Sequence, residues 1–295
     1  MRQIPDSELV LNADGTIYHL CLFPEQIADI ILTVGDPARV ARISKYFDKI
    51  EYQVNHREFV THTGWLGNTR LSVLSTGIGT DNMDIVLNEL DALVNIDLKT
   101  RIPHSNHSIL NIIRVGTSGA VWREAPVGSF ITSAFGLGLD NLMHFYEYQN
   151  TSDEAKLIQD FAAFLKNPLP IQPYSFAANV ELLNKMTLDL QGITLTAPGF
   201  YAPQGRELRA NTKLTSETLT HLSNFQYKNW QITNFEMETS GLYGLAKVLG
   251  HRAVSCNVIL ANRLLGQFSL NPDKEVESLI ENVLERIGSL TNFSQ

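Results

Sequence analysis

The 295-residue sequence predicts an α/β fold, a central sheet flanked by helices. Apolar runs of strand length alternate with segments of helical periodicity, and several of those runs break at a glycine before a helix begins. The third observation is bulk: a chain of this length with 44% hydrophobic residues can bury a full core, and no linker-like stretch interrupts it. One domain over residues 1–295 is therefore expected.

The elements follow in order. Asp29 to Val34 reads as a buried strand that breaks at Gly35, and Pro37 then stands at the first position of a helix to Phe47. Val40, Ile43 and Phe47 give that helix its apolar stripe. Glu58–Thr63 and Arg70–Ser75 read as strands and Asn82–Val94 as a helix. From Asn95 to Ser108 the chain is polar, with Lys99, Arg101, His104 and His107 but no nearby acidic or Cys partner, so a solvated loop is favoured over a metal site. Ile109–Val115 is a strand expected to end in a turn at Gly116 to Gly119, which places Arg114 at its carboxyl end. Strands at Ser129–Ser133, Ile193–Ala197 and Ala253–Leu260 alternate with helices at Ser152–Leu165, Val180–Leu190 and Met237–Leu249. The final helix has the clearest signals: Asn271-Pro272 starts it, Val276, Leu279, Ile280, Val283, Leu284 and Ile287 form one stripe, and Gly288 stops it. Only Met1–Thr16 and Thr291–Gln295 read as disordered tails.

Composition removes several classes of function. The net charge of −8 gives no general attraction to nucleic acid, so any phosphate must be gathered by a local arginine cluster. Cys21 and Cys256 lie far apart in apolar stretches, which opposes a disulfide framework and fits a reducing compartment. No basic apolar leader and no spanning apolar run is present, so a soluble cytoplasmic protein without membrane partners is expected.

Four short runs carry chemistry. Arg114 is followed by Gly116-Thr117-Ser118-Gly119, a cation beside hydroxyls and an exposed backbone. Gly35 and Arg39 stand at the start of the first helix, where dipole and guanidinium suit one anion. Ser75-Thr76-Gly77-Ile78-Gly79 and Asn55-His56-Arg57-Glu58-Phe59 complete the set. Each alone is also an ordinary loop.

In this order and spacing, with Tyr18-His19-Leu20, Phe200-Tyr201, Gln204-Gly205-Arg206, Asn234-Phe235-Glu236-Met237-Glu238 and Asn262-Arg263, they resemble nucleoside phosphorylase family I over most of the chain. The uridine-cleaving members are the most similar. The resemblance implies an α/β/α sandwich whose mixed sheet is partly barrel-like. It also implies phosphorolysis of uridine to uracil and ribose 1-phosphate. Gly35, Arg39, Arg57, Arg114 and Thr117 would hold phosphate, and Arg114, Thr117, Gln204 and Arg206 would carry the catalysis. His19, Glu236, Met237 and Glu238 would hold ribose, with Glu236 in a lesser role. Phe200, Gln204, Arg206, Asn262 and Arg263 would surround the base. Purine-cleaving relatives typically have an aspartate where this chain has Asn262, and an amide cannot act as an acid.

The resemblance further implies no cofactor beyond phosphate as co-substrate, no resident metal, and a homodimer or trimer of dimers. By that resemblance its sites would be completed across the dimer interface by Arg57 and His19. A monovalent cation at that contact, with Glu58 as a ligand, is left open. The sequence also departs from the family. Thr80-Asp81-Asn82-Met83 replaces the usual small residues after Gly79, so Asp81 either is the N-cap of a helix or sets a charge against phosphate. The glycines of Phe135 to Asn141 replace a basic entry, and Ala202-Pro203 precedes Gln204. A broader or purine-cleaving phosphorylase and a non-catalytic nucleoside-binding protein are the alternatives.

Overall fold

A computed structural model describes residues 2–165 and 171–288, and in it the apolar runs become the inner strands of one sheet. Strand β1 (Ile30–Val34) leads to helix α1 (Pro37–Ser44), then to β2 (Lys49–His56), β3 (Phe59–Leu66), β4 (Thr69–Ser75) and helix α2 (Thr80–Asn95). A short ribbon of β5 (Ile96–Asp97) and β6 (Ile102–Pro103) precedes the long β7 (Asn111–Ala120) and β8 (Phe130–Gly138). Helix α3 (Ser152–Phe164), β9 (Tyr174–Ala177), α4 (Val180–Lys185), β10 (Leu190–Thr196) and α5 (Ser216–Leu222) follow. The chain then forms β11 (Gln226–Tyr227), β12 (Trp230–Glu236), α6 (Thr239–Leu249), β13 (Arg252–Asn262), β14 (Gln267–Phe268) and α7 (Pro272–Gly288).

Twelve strands among the described residues form one mixed sheet in the order β11-β12-β10-β8-β13-β7-β1-β4-β3-β2, with β14 on β13 and β9 on β8. Because β12 also pairs with β7, strands β7, β13, β8, β10 and β12 close into a small barrel, and β1 to β4 extend from it as an open wing. This is the partly barrel-like α/β architecture expected. One core lies between the wing, α2, α6 and α7, and a second lies between the barrel, α3 and α5.

Several boundaries moved. Strand β7 does not turn at Gly116 but runs to Ala120, with its second half paired to β13, so Arg114 sits mid-strand. The reason is packing: residues two apart on a strand share a face, and the Arg114 guanidinium lies over Gly116, where a Cβ would come within 1.8 Å of its Nη1. Helix α4 stops at Lys185 rather than Leu190, because the Thr132 hydroxyl donates to the Met186 carbonyl and accepts from the Leu188 N–H. Glu58 lies not in a strand but in the two-residue turn between β2 and β3. The expected first-helix residue Phe47 lies beyond α1, and α2 begins two residues early, at Thr80.

The amino-terminal segment is no tail over residues 2–16. Leu9 and Ile17 are buried, the Ile4 N–H donates to the Arg101 carbonyl, and the Arg101 guanidinium donates to the Leu9 carbonyl. The polar stretch after Asn95 thus forms a ribbon that grips this segment. Thr291–Gln295 lies outside the described residues. No helix among the described residues is long and apolar enough to cross a membrane.

Candidate active site

Parallel pairing of β1 with both β4 and β7 brings three strand ends together, the usual place for a ligand in an α/β sheet. Val34 is in register with Ser75, so Gly35 and Gly77 meet side by side, and Gly77 has φ +72°, a backbone conformation that favours glycine. A Cβ at Gly77 would strike the Asn82 amide at 2.2 Å. Asp36 caps α1 by accepting from the Ala38 N–H at 2.9 Å, which turns Arg39 inward. The Arg39 Nη1 donates to the Val115 carbonyl at 3.1 Å, and its Nε has no protein partner. Burial, and secondly the charge of Arg114, bring the Arg39 pKa down to about 10. An anion between the two guanidiniums would relieve both costs.

Arg114 is held from three sides. Its Nη1 donates to Asn257 Oδ1 at 2.7 Å, its Nη2 donates to Glu238, and Glu236 lies 3.5 Å away. Burial works against the charge, but Glu238 and then Glu236 outweigh it and raise the Arg114 pKa. Glu236 accepts from the N–H groups of Glu238 and Thr239 and from the Thr196 hydroxyl, so it caps the start of α6. Burial raises its own pKa against the pull of Arg114. Glu238 also accepts from the Gly79 N–H at 2.8 Å, which ties α6 to the start of α2.

Five residues farther along β7, about 16 Å at strand rise, lies the other end of a cavity of about 740 Å³. Here a short turn, Ala202–Gln204, presents Gln204 and Arg206. The Arg206 guanidinium lies 3.7 Å over the Phe200 ring and donates to Gln204 Oε1 at 2.5 Å and to the Phe200 carbonyl at 2.7 Å. Burial first, then the neighbouring Arg263, lower its pKa to about 10. The cavity therefore carries two arginines at one end, two carboxylates in the middle, and an arginine with an amide at the other end. Its size suits a small polar ligand with an anionic second component.

A family model described as the phosphorylase superfamily matches residues 29–291. This chain belongs to that superfamily. Its relatives include a uridine phosphorylase of Thermococcus kodakarensis, 29% identical over 89% of this chain and 83% of that protein. Another, the uridine phosphorylase of Haemophilus influenzae, is 28% identical over 84% of this chain and 86% of its own length. Among solved structures, a Trypanosoma brucei nucleoside phosphorylase described as showing uridine phosphorylase activity superposes with a TM-score of 0.84 at 27% identity, covering 95% of this chain and 99% of that one.

In this superfamily member the cavity is lined by Gly35, Arg39, Arg114, Thr117, Phe200, Gln204, Arg206, Glu236, Met237 and Glu238, all expected from sequence. Four expected residues do not line it. Asn262 is fully buried: its amide donates to the Trp122 and Ala125 carbonyls and its oxygen accepts from the Leu264 and Leu265 N–H groups. It builds the β13–β14 turn and has no capacity left for a base. Arg263 donates to the Gln204 and Gly205 carbonyls at 3.0 and 3.2 Å, so it braces the loop that carries Gln204 and Arg206. His19 and Arg57 lie outside this chain's own cavity, Arg57 exposed at the β2–β3 turn with φ +54° and its guanidinium 5.8 Å from the Tyr18 ring.

The lining also includes residues that sequence reasoning did not place there. Asn82, in the first turn of α2, lines the cavity and approaches Glu58 at 3.4 Å, whereas its neighbour Asp81 is exposed and points elsewhere. Asp81 is not the cap of α2, which is Gly79. Phe268, on β14, is 65% exposed yet lines the cavity; a lone aromatic there gives no sequence signal. Asp140 of the glycine-bearing segment is buried against the Tyr174 hydroxyl and the Leu142 N–H, away from the cavity. Outside the site, Asp91, His107 and His251 come together. The Leu110 N–H donates to His251 Nδ1, so the ring proton is on Nε2, the reverse of the usual metal-ligating arrangement.

Proposed function

We propose that this chain catalyses the phosphorolysis of uridine, giving uracil and ribose 1-phosphate, with inorganic phosphate as co-substrate and no other cofactor. The observation that carries the reading is the placement of Arg39 and Arg114 at one end of the cavity and Gln204 with Arg206 at the other, with Glu238 between them. Two guanidiniums match the oxygens of a phosphate dianion in bidentate fashion. Glu238 offers a carboxylate to the ribose hydroxyls and Met237 an adaptable apolar surface. Gln204 and Arg206 together match the acceptor and donor edge of a pyrimidine. As the glycosidic bond breaks, the sugar becomes cation-like and negative charge collects on the base, which Arg206 stabilises while phosphate approaches from beneath. The uridine phosphorylase relatives support this substrate.

The same reading includes a homodimeric unit in which Arg57 and His19 enter the neighbouring subunit's site. The exposure of Arg57 and the place of both residues outside the chain's own cavity support it. A cytoplasmic location is part of the proposal.

Uridine, thymidine, cytidine, inosine and adenosine, each incubated with and without phosphate, test the assignment through release of free base. Phosphate-dependent cleavage of uridine is expected. Phosphate-independent cleavage, or preferred cleavage of inosine or adenosine, refutes it, and binding without turnover marks a nucleoside-binding protein.

A further inference from the structure

We propose that Glu89 is a positioning residue that fixes the ring of His19 with its Nε2 as a hydrogen-bond acceptor for the ribose 5′-hydroxyl. The inference rests on the reading that His19 is lent to a neighbouring site. Glu89 lies on α2, about two turns beyond the cavity-lining Asn82. Its carboxylate accepts from the His19 N–H at 3.0 Å, from the Leu20 N–H at 2.8 Å and from His19 Nδ1 at 2.6 Å. A carboxylate with this many donors around it only accepts, so the proton of the His19–Glu89 contact is on Nδ1. The other nitrogen of the neutral ring is then unprotonated.

The rest of the residue is held as firmly. His56 Nδ1 donates to the His19 carbonyl at 3.0 Å, and the rings of Tyr18 and Phe59 meet the imidazole edge-on at 4.8 and 6.3 Å. The side chains of His19 and Glu89 are only 28% and 13% exposed, yet among the described residues no partner reaches His19 Nε2. A ring held by these contacts, with one acceptor left unpartnered among the described residues, matches a ligand that presents an O–H. The nucleoside 5′-hydroxyl is such a donor. Because the Asn82 end of α2 lines the chain's own cavity, one helix supports both the site a subunit keeps and the residue it lends.

The readout is discrimination: kcat/KM for uridine divided by kcat/KM for 5′-deoxyuridine. His19→Ala is expected to lower this ratio roughly three- to tenfold, the range for one lost hydrogen bond. Glu89→Ala should lower it by a similar factor, Glu89→Gln should recover most of it through its remaining acceptor oxygen, and Glu89→Ala in the His19→Ala background should lower it no further. An unchanged ratio in His19→Ala overturns the lending of His19 and the inference with it. A lowered ratio in His19→Ala but not in Glu89→Ala overturns the role of Glu89 alone, as does an equal loss on both substrates. Independent of any variant, ¹⁵N NMR of histidine-labelled wild-type protein should show His19 with its proton on Nδ1; a proton on Nε2 of the neutral ring overturns the proposal.

Discussion

The guanidinium of Arg114 donates to the carboxylate of Glu238 across the floor of the cavity, so one buried ion pair joins the proposed phosphate end to the proposed ribose end. Replacing Arg114 by Ala leaves Glu238 and Glu236, each 4% exposed, without their cation. Stability should fall by about 3–5 kcal/mol, the cost of breaking a buried pair from one side, and phosphorolysis should vanish. Adding Glu238→Gln should recover part of the stability and none of the activity. Denaturant unfolding and base release read the two effects separately, and a stable, active Arg114→Ala contradicts the geometry.

Arg206 makes no ion pair among the described residues; its partners are the Phe200 ring, the Phe200 carbonyl and Gln204. Its charge is therefore free for a departing base. Arg206→Ala should cost about 2–4 kcal/mol in the barrier, as loss of an oxyanion donor does, and should leave the KM for phosphate near its wild-type value. Steady-state kinetics with each substrate varied decides this. Near-normal uridine turnover removes the pyrimidine assignment.

Asp81 points away from the cavity, although its neighbour Asn82 lines it. Asp81→Asn should therefore leave the KM for phosphate unchanged within twofold. It should cost only about 0.3–1 kcal/mol of stability, through the weaker complement to the α2 dipole. A marked change in phosphate KM places this carboxylate in the site after all.

Much of this arrangement was legible in the chain. Val34-Gly35-Asp36-Pro37 specifies a strand, a break and a helix start in four residues, and the structure has them there. Asn271-Pro272 and Gly288 mark the ends of α7, and its apolar stripe lies between them. Strand β12 was not legible, although it carries Glu236, because buried polar residues interrupt its apolar ones, Ile232 and Phe235. Thr233, Asn234 and Glu236 are buried by satisfying one another's neighbours: Asn234 donates to Ser118 and accepts from Thr194, and Glu236 accepts from Thr196. A buried strand of that kind has no hydrophobic run. Asn262 and Arg263 misled in the opposite way, since their residue types suit a base while their hydrogen bonds go to backbone carbonyls set by a turn.

Glu154, on α3, is 2% exposed and binds Lys247 at 2.6 Å. Burial alone would raise its pKa, but Lys247 and the N–H groups of Thr151 and Ala177 outweigh it, and the folded-state value lies below the ordinary 4.5. A carboxyl with a depressed folded pKa adds stability that is present above its unfolded pKa and is lost as pH falls through the folded value. Glu154→Gln should therefore be less stable than wild type at pH 7, by about 1–2 kcal/mol given that Lys247 is partly solvated. The gap should close as the pH falls through the folded-state value, which lies below 4.5. Urea midpoints from pH 7 to pH 3 test the trend, and a gap that widens in acid reverses the assigned sign.

Arg57 stands exposed at the tip of the β2–β3 hairpin, outside the cavity of its own chain, and the proposed dimer uses it in the partner's site. In a two-fold dimer each subunit both donates and receives. An Arg57→Ala subunit keeps its own Arg114, and an Arg114→Ala subunit can still lend Arg57, yet each homodimer lacks one arginine at every site. Both should be nearly inactive. Random reassortment of equal amounts makes half of the dimers mixed, each with one complete site of two, so roughly a quarter of the wild-type sites should return. Native mass spectrometry establishes that mixing has occurred, and the activity of the same sample gives the answer. Mixed dimers no more active than their parents place Arg57 outside the partner's chemistry, and the phosphate end must then work with Arg39 and Arg114 alone.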